Sequence, residues 1–459
     1  MSEAAPSASA PSASAAAPGR SLKRNIVHAL VGNGVYNICR FLVVVLLAKL
    51  ASADVLGQYN YANALISPVI LFFTFNMRAA MVADAYNRVT FGSWKTTRDL
   101  GLLASLVVVA GLCAWKWLDG ATTALLLIIA FLALGKIFNQ ASELCWAMYL
   151  KRERLDRVAW SNVWIGVTML VPFCVTAPIY YLLVKNGTLP AERYADGAAW
   201  AALGGAIGAL AVYLLYDRPS VRGAPDCNPQ WTWSSVRDVF VQVLPLGIVM
   251  LIINLCDSVP RLIMEHRTGS TTALGYFSAL AYIAMTANLL LIQVGIASAN
   301  RLAQHYNRNF RLFLRLAAKL TGLALALGAV VMLGTLLVGR WLLAVVLRPD
   351  YAEYYPEFLI VVGSQCLGLL ISIFGITSTQ MKLYWVQVTI HAAVLVTTAA
   401  AAWWLITPEA PVRGAAWTFL IRAIAQVLLY AACMGWAIQR RRRDLALAAD
   451  GAVPPPAIG

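Results

Sequence analysis

Five sets of polar residues recur at helical spacing inside otherwise apolar runs, and each includes a group that carries charge. Asn33, Asn37 and Arg40 stand at i, i+4 and i+7, along one helical face. Arg40 lies about 12 residues, roughly 18 Å, beyond the start of its run, too deep for its guanidinium to reach interfacial water easily. Asn60, Asn63, Ser67, Thr74 and Arg78 repeat the device in the next run. Lys136, Asn139, Gln140 and Glu143 form a third stripe, Asn254, Asp257 and Arg261 a fourth, and Thr418, Arg422 and Gln426 a fifth.

Guanidinium and ammonium groups at such depth need water, a carboxylate or an anionic ligand. Arg40, Asn33, Asn37, Arg78, Asn63, Lys136 and Arg422 are therefore candidate substrate-binding residues, and Glu143, Asp257 and Arg261 candidate coupling or ion-pair groups. Two plainer readings stay open: Asn and Ser/Thr stripes also join packed helices, and Lys136 has Glu143 on its own stripe as a partner. Arg40, Arg78, Lys136 and Arg422 set against Glu143 and Asp257 leave a net charge of about +2, which suits a phosphate-bearing ligand. Tyr36, Tyr59, Tyr61, Tyr276 and Tyr282 suit either stacking on sugar rings or a place at a membrane interface.

Other chemistries lack their residues. There is no phosphate-binding Walker loop, no nucleophile elbow and no pair of carboxylates in a large polar loop. His28, His266, His305 and His391 show no metal-ligand spacing, and only His391 falls within an apolar run, where packing or proton transfer are its two readings. Seven of the eight cysteines lie in apolar runs and none forms a CxxC pair. Neither metal, cofactor nor enzymatic activity is expected, so any driving force must come from ion gradients, substrate gradients or downstream consumption.

The elements that carry these stripes are membrane-spanning helices. The chain is 60% hydrophobic and 12% charged, against about 25% charged residues in an ordinary soluble domain. Apolar runs long enough to span hydrocarbon recur over 27–50, 57–83, 99–117, 121–149, 158–183, 197–216, 238–259, 273–299, 315–338, 357–379, 384–406 and 414–437. The alternation of a β-barrel is absent. Trp341–Leu347 is too short to cross and extends the ninth helix or lies in the interface.

The net charge of +15 is spread over connectors rather than gathered on a soluble module, so nucleic acid is not an expected partner. Connectors on the amino-terminal side carry 22 Lys and Arg against 9 on the other, which predicts that both termini are cytoplasmic. The Ala/Ser/Pro-rich residues 1–20 and the segment 444–459 are expected to be disordered, with the first span as the targeting signal. A sequon at Asn186-Gly187-Thr188 carries little weight.

Two spans read alike. Leu56-Gly57-Gln58-Tyr59 through Asn87-Arg88 and Leu274-Gly275-Tyr276-Phe277 through Asn307-Arg308 have landmarks offset by 218 and 220 residues. This predicts a parallel repeat: a six-helix lobe over 21–216, a proline-bearing cytoplasmic linker over 217–237, and a second six-helix lobe over 238–443. A chance coincidence of two Leu-Gly turns and two Asn-Arg exits is the plainer alternative.

With Lys23-Arg24-Asn25, Gly32-Asn33, Lys49-Leu50-Ala51, Leu56-Gly57-Gln58-Tyr59-x-x-Ala62 and Asp257 followed by Leu274-Gly275-Tyr276-Phe277-Ser278-Ala279, the chain resembles the Wzx-type polysaccharide flippases. These belong to the multidrug/oligosaccharidyl-lipid/polysaccharide transporter superfamily. The resemblance covers essentially the whole twelve-helix region but rests on diffuse landmarks, without an invariant signature. It implies an all-α fold of two lobes around a central cavity, formed mainly by the first, second, seventh and eighth spans. It also implies a polyprenyl-pyrophosphate-linked glycan as cargo, moved to the outer leaflet of a bacterial cytoplasmic membrane by alternating access. Membrane lipids are implied partners, as are a polysaccharide polymerase and glycosyltransferases. A cation-coupled multidrug exporter of the same superfamily is the first alternative, disfavoured by the positive stripes. A membrane-embedded glycan polymerase or ligase is the second, disfavoured by outer connectors of only about 15 to 20 residues. The peptidoglycan-precursor flippases resemble the chain too, but no span remains after Ile438 for their two further helices.

Overall fold

A computed structural model describes residues 22–84, 89–221, 231–285, 298, 301–302, 304–306, 309–381 and 383–449. The expected tails over 1–20 and 450–459 and the expected landmarks Asn87-Arg88 and Asn307-Arg308 lie outside the described residues. We number the long helices in chain order: α1 Leu22–Leu50, α2 Ala53–Phe73, α3 Phe91–Leu118, α4 Thr123–Lys151, α5 Leu155–Lys185 and α6 Tyr194–Val212. The second half comprises α7 Trp233–Thr268, α8 Thr272–Met285, α9 Phe310–Val346, α10 Tyr355–Gln380, α11 Tyr384–Leu405 and α12 Pro411–Ala449. No strand occurs among the described residues.

Among the described residues eleven helices are long and apolar enough to cross a membrane, and α8 is described over 14 residues. The fold is thus that of a multi-pass membrane protein. Helices suit this setting because each satisfies its own backbone polar groups, which nothing in hydrocarbon would do. Short caps stop and restart them: Ser52, Thr90 and Thr122 each accept a backbone N–H three residues on, and Gly269 ends α7 in a left-handed conformation. Successive helices run in opposite directions. We call the face at which α1 begins and α12 ends the terminal side, and the opposite face the far side.

The helices outrun several expected spans. α3 starts at Phe91 rather than at 99, α9 takes in Trp341–Val346, and α12 continues through Ala449, so 444–449 are helical rather than disordered. The expected linker also begins later than 217: a π turn, Tyr213–Asp217, and a last helical turn, Arg218–Val221, prolong α6. Asp217 is fully buried there. Its Oδ2 accepts a hydrogen bond from Ser161 Oγ at 2.9 Å, which in turn accepts one from Trp146 Nε1 at 2.9 Å, tying α4, α5 and α6 together. After α2, Phe75 and Asn76 adopt left-handed conformations (φ 49° and 47°) that break the helix before a short one, Met77–Ala83, packed on α4.

Burial is inverted relative to a soluble bundle. On α3, Ser93, Thr96, Thr97, Arg98 and Ser105 are buried whereas Leu103 and Val107 lie exposed. Tryptophans Trp115, Trp117, Trp403 and Trp404 crowd exposed helix ends, as at a membrane interface.

α2 and α8 are the most enclosed helices and pack on each other across the two halves. The two Leu-Gly landmarks meet here. A β-carbon on Gly57 would collide with the carbonyl of Thr271, and one on Gly275 with the carbonyl of Ala53. Only glycine allows the two helix starts to approach so closely. Thr271 Oγ1 then donates to Asp54 Oδ1 at 2.5 Å, and Thr272 Oγ1 to the same oxygen at 3.4 Å. Lys116 of α3 adds a bridge to Glu265 of α7 at 3.4 Å, and Arg348 Nη1 donates to the Ala51 carbonyl at 3.3 Å. The two halves are thereby fastened at the far side.

Gly57→Val is expected to disfavour this contact by about 1–3 kcal/mol, the usual cost of overpacking. A cysteine at Asn63 should then react faster with an impermeant maleimide added from the far side; unchanged labelling would show that the glycine contact does not hold that side shut.

Candidate functional site

Below the far-side contact lie two adjoining cavities. The larger, of about 370 Å³, is lined by α1 (Tyr36, Arg40), α2 (Tyr59, Asn63, Ser67), α4 (Lys136, Asn139, Gln140), α5 (Met169, Phe173) and α6, with Asn254 of α7 and Tyr282 of α8 closing it. The second, of about 260 Å³, shares Arg40, Asn63, Ser67, Lys136, Asn254 and Tyr282 with the first and extends to Asp257, Arg261, Gln365 and Arg422. The larger cavity thus sits mainly within the first half, where the fourth, fifth and sixth helices line it as well as the first and second. The second cavity draws most of its lining from the first, second, seventh and eighth helices, the set that the resemblance implies, with Lys136, Gln365, Phe419 and Arg422 added.

Arg40 lies at the junction and lines both cavities. Its guanidinium carbon stands 5.8 Å from the Tyr36 ring centre. Lys136 does not turn to Glu143, seven residues along its own helix. Its Nζ donates to Ser67 Oγ on α2, and Ser67 donates on to the Asn63 carbonyl at 2.5 Å. Asn63 and Asn254 each spend their amide N–H on the carbonyl four residues back, at 3.0 and 2.7 Å.

Asp257 was a candidate partner for Arg261 on its own helix. The carboxylate instead accepts from Arg422 Nη1 of α12 at 2.6 Å, a bond that ties α7 to α12. Arg261 Nη1 donates to the Asp257 backbone carbonyl at 3.0 Å, and its Nε is without a partner among the described residues. Arg422 also stands 4.9 Å over the Phe419 ring.

Other candidates fall outside the cavities. Asn33 Oδ1 accepts from Asn162 Nδ2 of α5 at 3.3 Å, and Asn37 Nδ2 donates to the Asn33 carbonyl at 2.8 Å, so this pair acts in joining α1 to α5. Arg78 and Glu143 lie nearer the terminal side and pair with each other at 3.2 Å. The break at Phe75-Asn76 precedes the short helix that brings Arg78 to α4. His391 faces Tyr430, with Nε2 3.4 Å from the hydroxyl, away from both cavities. Among the described residues no three His, Cys, Asp or Glu gather as a metal site.

Two cations among the Lys and Arg of the expected connectors, Arg98 and Lys116, are buried within α3; Arg98 is 1% exposed, two turns inside the helix. The cap at Thr90, whose Oγ1 accepts the Ser93 N–H at 3.3 Å, was the available signal that the helix begins earlier.

Among the described residues the cavity walls therefore carry Arg40, Lys136, Arg261 and Arg422 against the one carboxylate of Asp257. Arg78 and Glu143, expected in the same set, do not line the cavities, and Arg261 does. Such walls attract an anion, and the amides and tyrosines around them offer hydrogen bonds to a polar ligand.

No protein-family model matches the sequence. A relative, the capsular polysaccharide biosynthesis protein CapF of Staphylococcus aureus, is 22% identical over 412 residues, covering 89% of this chain and 98% of its own length. Among solved structures, the inward closed conformation of the lipid II flippase MurJ aligns with a TM-score of 0.69 at 12% identity, over 91% of this chain and 90% of that one. An inward-facing multidrug resistance MATE family transporter of the MOP superfamily aligns with a TM-score of 0.67 at 12% identity, over 90% and 98%. The chain shares the fold of these solved transporters. An outward-facing MATE transporter aligns less closely, with a TM-score of 0.56 at 12% identity over 91% and 94%.

Arg422→Ala and Asp257→Ala are each expected to lower thermal stability in detergent. The double variant should lose about 0.5–1 kcal/mol less than the sum of the singles, as for a partly solvated ion pair. Strict additivity in differential scanning fluorimetry would show the two charges to be uncoupled.

Proposed function

We infer that the chain is a flippase that moves a lipid-linked oligosaccharide across the membrane for polysaccharide biosynthesis. The observation that carries this reading is the cationic mid-bundle cavity, with Arg40 at its junction and Lys136 opposite. A pyrophosphate group fits a guanidinium fork and an ammonium in one polar chamber. Asn63, Asn139, Gln140, Asn254 and Gln365 supply donors and acceptors for a glycan, and the polyprenyl tail stays in the bilayer. Arg40, Lys136, Asn63 and Arg422 are assigned to the cargo; Asn33 and Asn37 act from behind, through α1 and α5. The kinship with CapF and the MurJ-like fold support the same reading.

The far-side seam matches the closer likeness to inward-facing than to outward-facing structures. We accordingly assign the terminal side to the cytoplasm, place the protein in the bacterial cytoplasmic membrane, and divide it into lobes 21–216 and 238–443. Cargo enters the cavity from the cytoplasmic leaflet; parting of α2 from α8 and of Lys116 from Glu265 then releases it on the other side. Glycosyltransferases supply such a cargo and a polymerase consumes it. Transport of this kind forms and breaks no covalent bond, in keeping with a non-enzymatic role.

The MATE fold keeps a drug-exporter reading in play, but a cationic drug gains nothing from four cations facing one carboxylate. Arg40→Ala should abolish glycan export in cells while the protein remains folded in the membrane, and wild-type protein should not lower accumulation of a cationic dye. Normal export by Arg40→Ala together with dye efflux by the wild type would replace this reading with the exporter.

A further inference from the structure

Arg98 is the least reconciled charge in the structure. It is 1% exposed, and its Nη1 reaches only Gln140 Oε1, at 3.4 Å; Nε and Nη2 have no partner among the described residues. Neither nearby carboxylate serves it. Asp99 is taken by Lys95 at 2.6 Å, and Glu143 by Arg78 at 3.2 Å. Arg78 holds the one carboxylate near both arginines, and Arg98 is left without one in a setting where an unpaired guanidinium is costly.

The place of this cluster gives it meaning. Glu143, Gln140 and Lys136 stand at spacings of three and four on α4, so one helical face leads from the Arg78–Glu143 pair, past Arg98, to the cavity. Gln140, which holds Arg98, itself lines the larger cavity beside Lys136. The distance from Glu143 to Lys136 along the helix is about 10 Å.

We propose that Arg98 and Arg78 form a second anion site, on the terminal-side approach to the cavity, in which phosphate oxygens replace Glu143 as the partner of Arg78 and fill the open N–H positions of Arg98. Glu143 is then an internal competitor. It holds the site occupied while the ligand is absent and limits how tightly phosphate is held, so the anion passes on to Lys136 and Arg40. The site recognises phosphate or diphosphate; as a staging point for cargo it rests on the flippase reading above.

The test uses the full chain in phosphatidylcholine nanodiscs, titrated with inorganic pyrophosphate in an isothermal calorimeter. Glu143→Gln should tighten binding by about tenfold, the scale of one charge removed from a partly buried cluster, a gain that misfolding would not produce. Glu143→Gln combined with Arg98→Gln should lose that gain. Where Arg98→Gln fails to fold, Arg98→Lys takes its place and should keep only part of the gain, because an ammonium lacks the planar fork. Glu143→Gln binding no tighter than wild type, or a double variant that keeps the gain, would overturn the site. Replacing part of the phosphatidylcholine with phosphatidylglycerol separates the sources: undiminished pyrophosphate binding supports a diphosphate ligand, and suppression shows a lipid headgroup as occupant and overturns that assignment. Loss of export in Arg40→Ala alongside an unresponsive Glu143→Gln would remove this site and leave the flippase reading standing. Normal export with a responsive Glu143→Gln would do the reverse.

Discussion

A charge buried in hydrocarbon must find an opposite charge, a polar cavity or a ligand, and in this protein that requirement organises the interior. Asp257 draws Arg422 across from α12, and Glu143 draws Arg78 from beyond the break in α2. Lys136 reaches to Ser67 on the neighbouring helix. Arg40 and Arg261 border the two cavities, where polar space stands in for a carboxylate partner, and Arg98 lies buried beside Gln140. The helices are therefore spaced by their charges as much as by their apolar faces, and the resulting void is cationic because the chain supplies too few carboxylates to fill it.

Closure at the far side follows a different rule. Hydrocarbon gives no hydrophobic reason for helices to associate, so close backbone approach and hydrogen bonds carry the contact. Gly57 and Gly275 provide the approach, and Asp54 with Thr271 and Thr272 the hydrogen bonds. The contact therefore rests on small residues and a few polar bonds rather than on a large apolar interface. The charged pair across the same seam, Lys116 with Glu265, adds to its polar character.

Much of this was legible in the sequence. The long apolar runs announced the helices, and the helical spacing of Arg40 and Lys136 announced charges facing inward. The Leu-Gly landmarks, read there as signs of a repeat, turn out to meet face to face. Other features were not legible. Asn33 and Asn37 share the stripe of Arg40, yet α5 lies against them and uses Asn162 to hold them. Arg98 looked like a connector charge because Lys95 and Asp99 flank it, and only the start of α3 at Phe91 shows it inside the bundle.

The sequence by itself determined that the chain spans a membrane with helices, and that its few internal charges are mostly positive. Hydropathy and spacing are properties of a single helix, and a single helix already displays them. Tertiary structure alone decided which charges pair and which stay open to a ligand. Asp257 had Arg261 four residues away, and Lys136 had Glu143 seven away, but both chose partners on other helices. An ion pair depends on distances of a few ångströms between side chains, and those distances are fixed only when α2, α4, α7 and α12 pack around a common cavity.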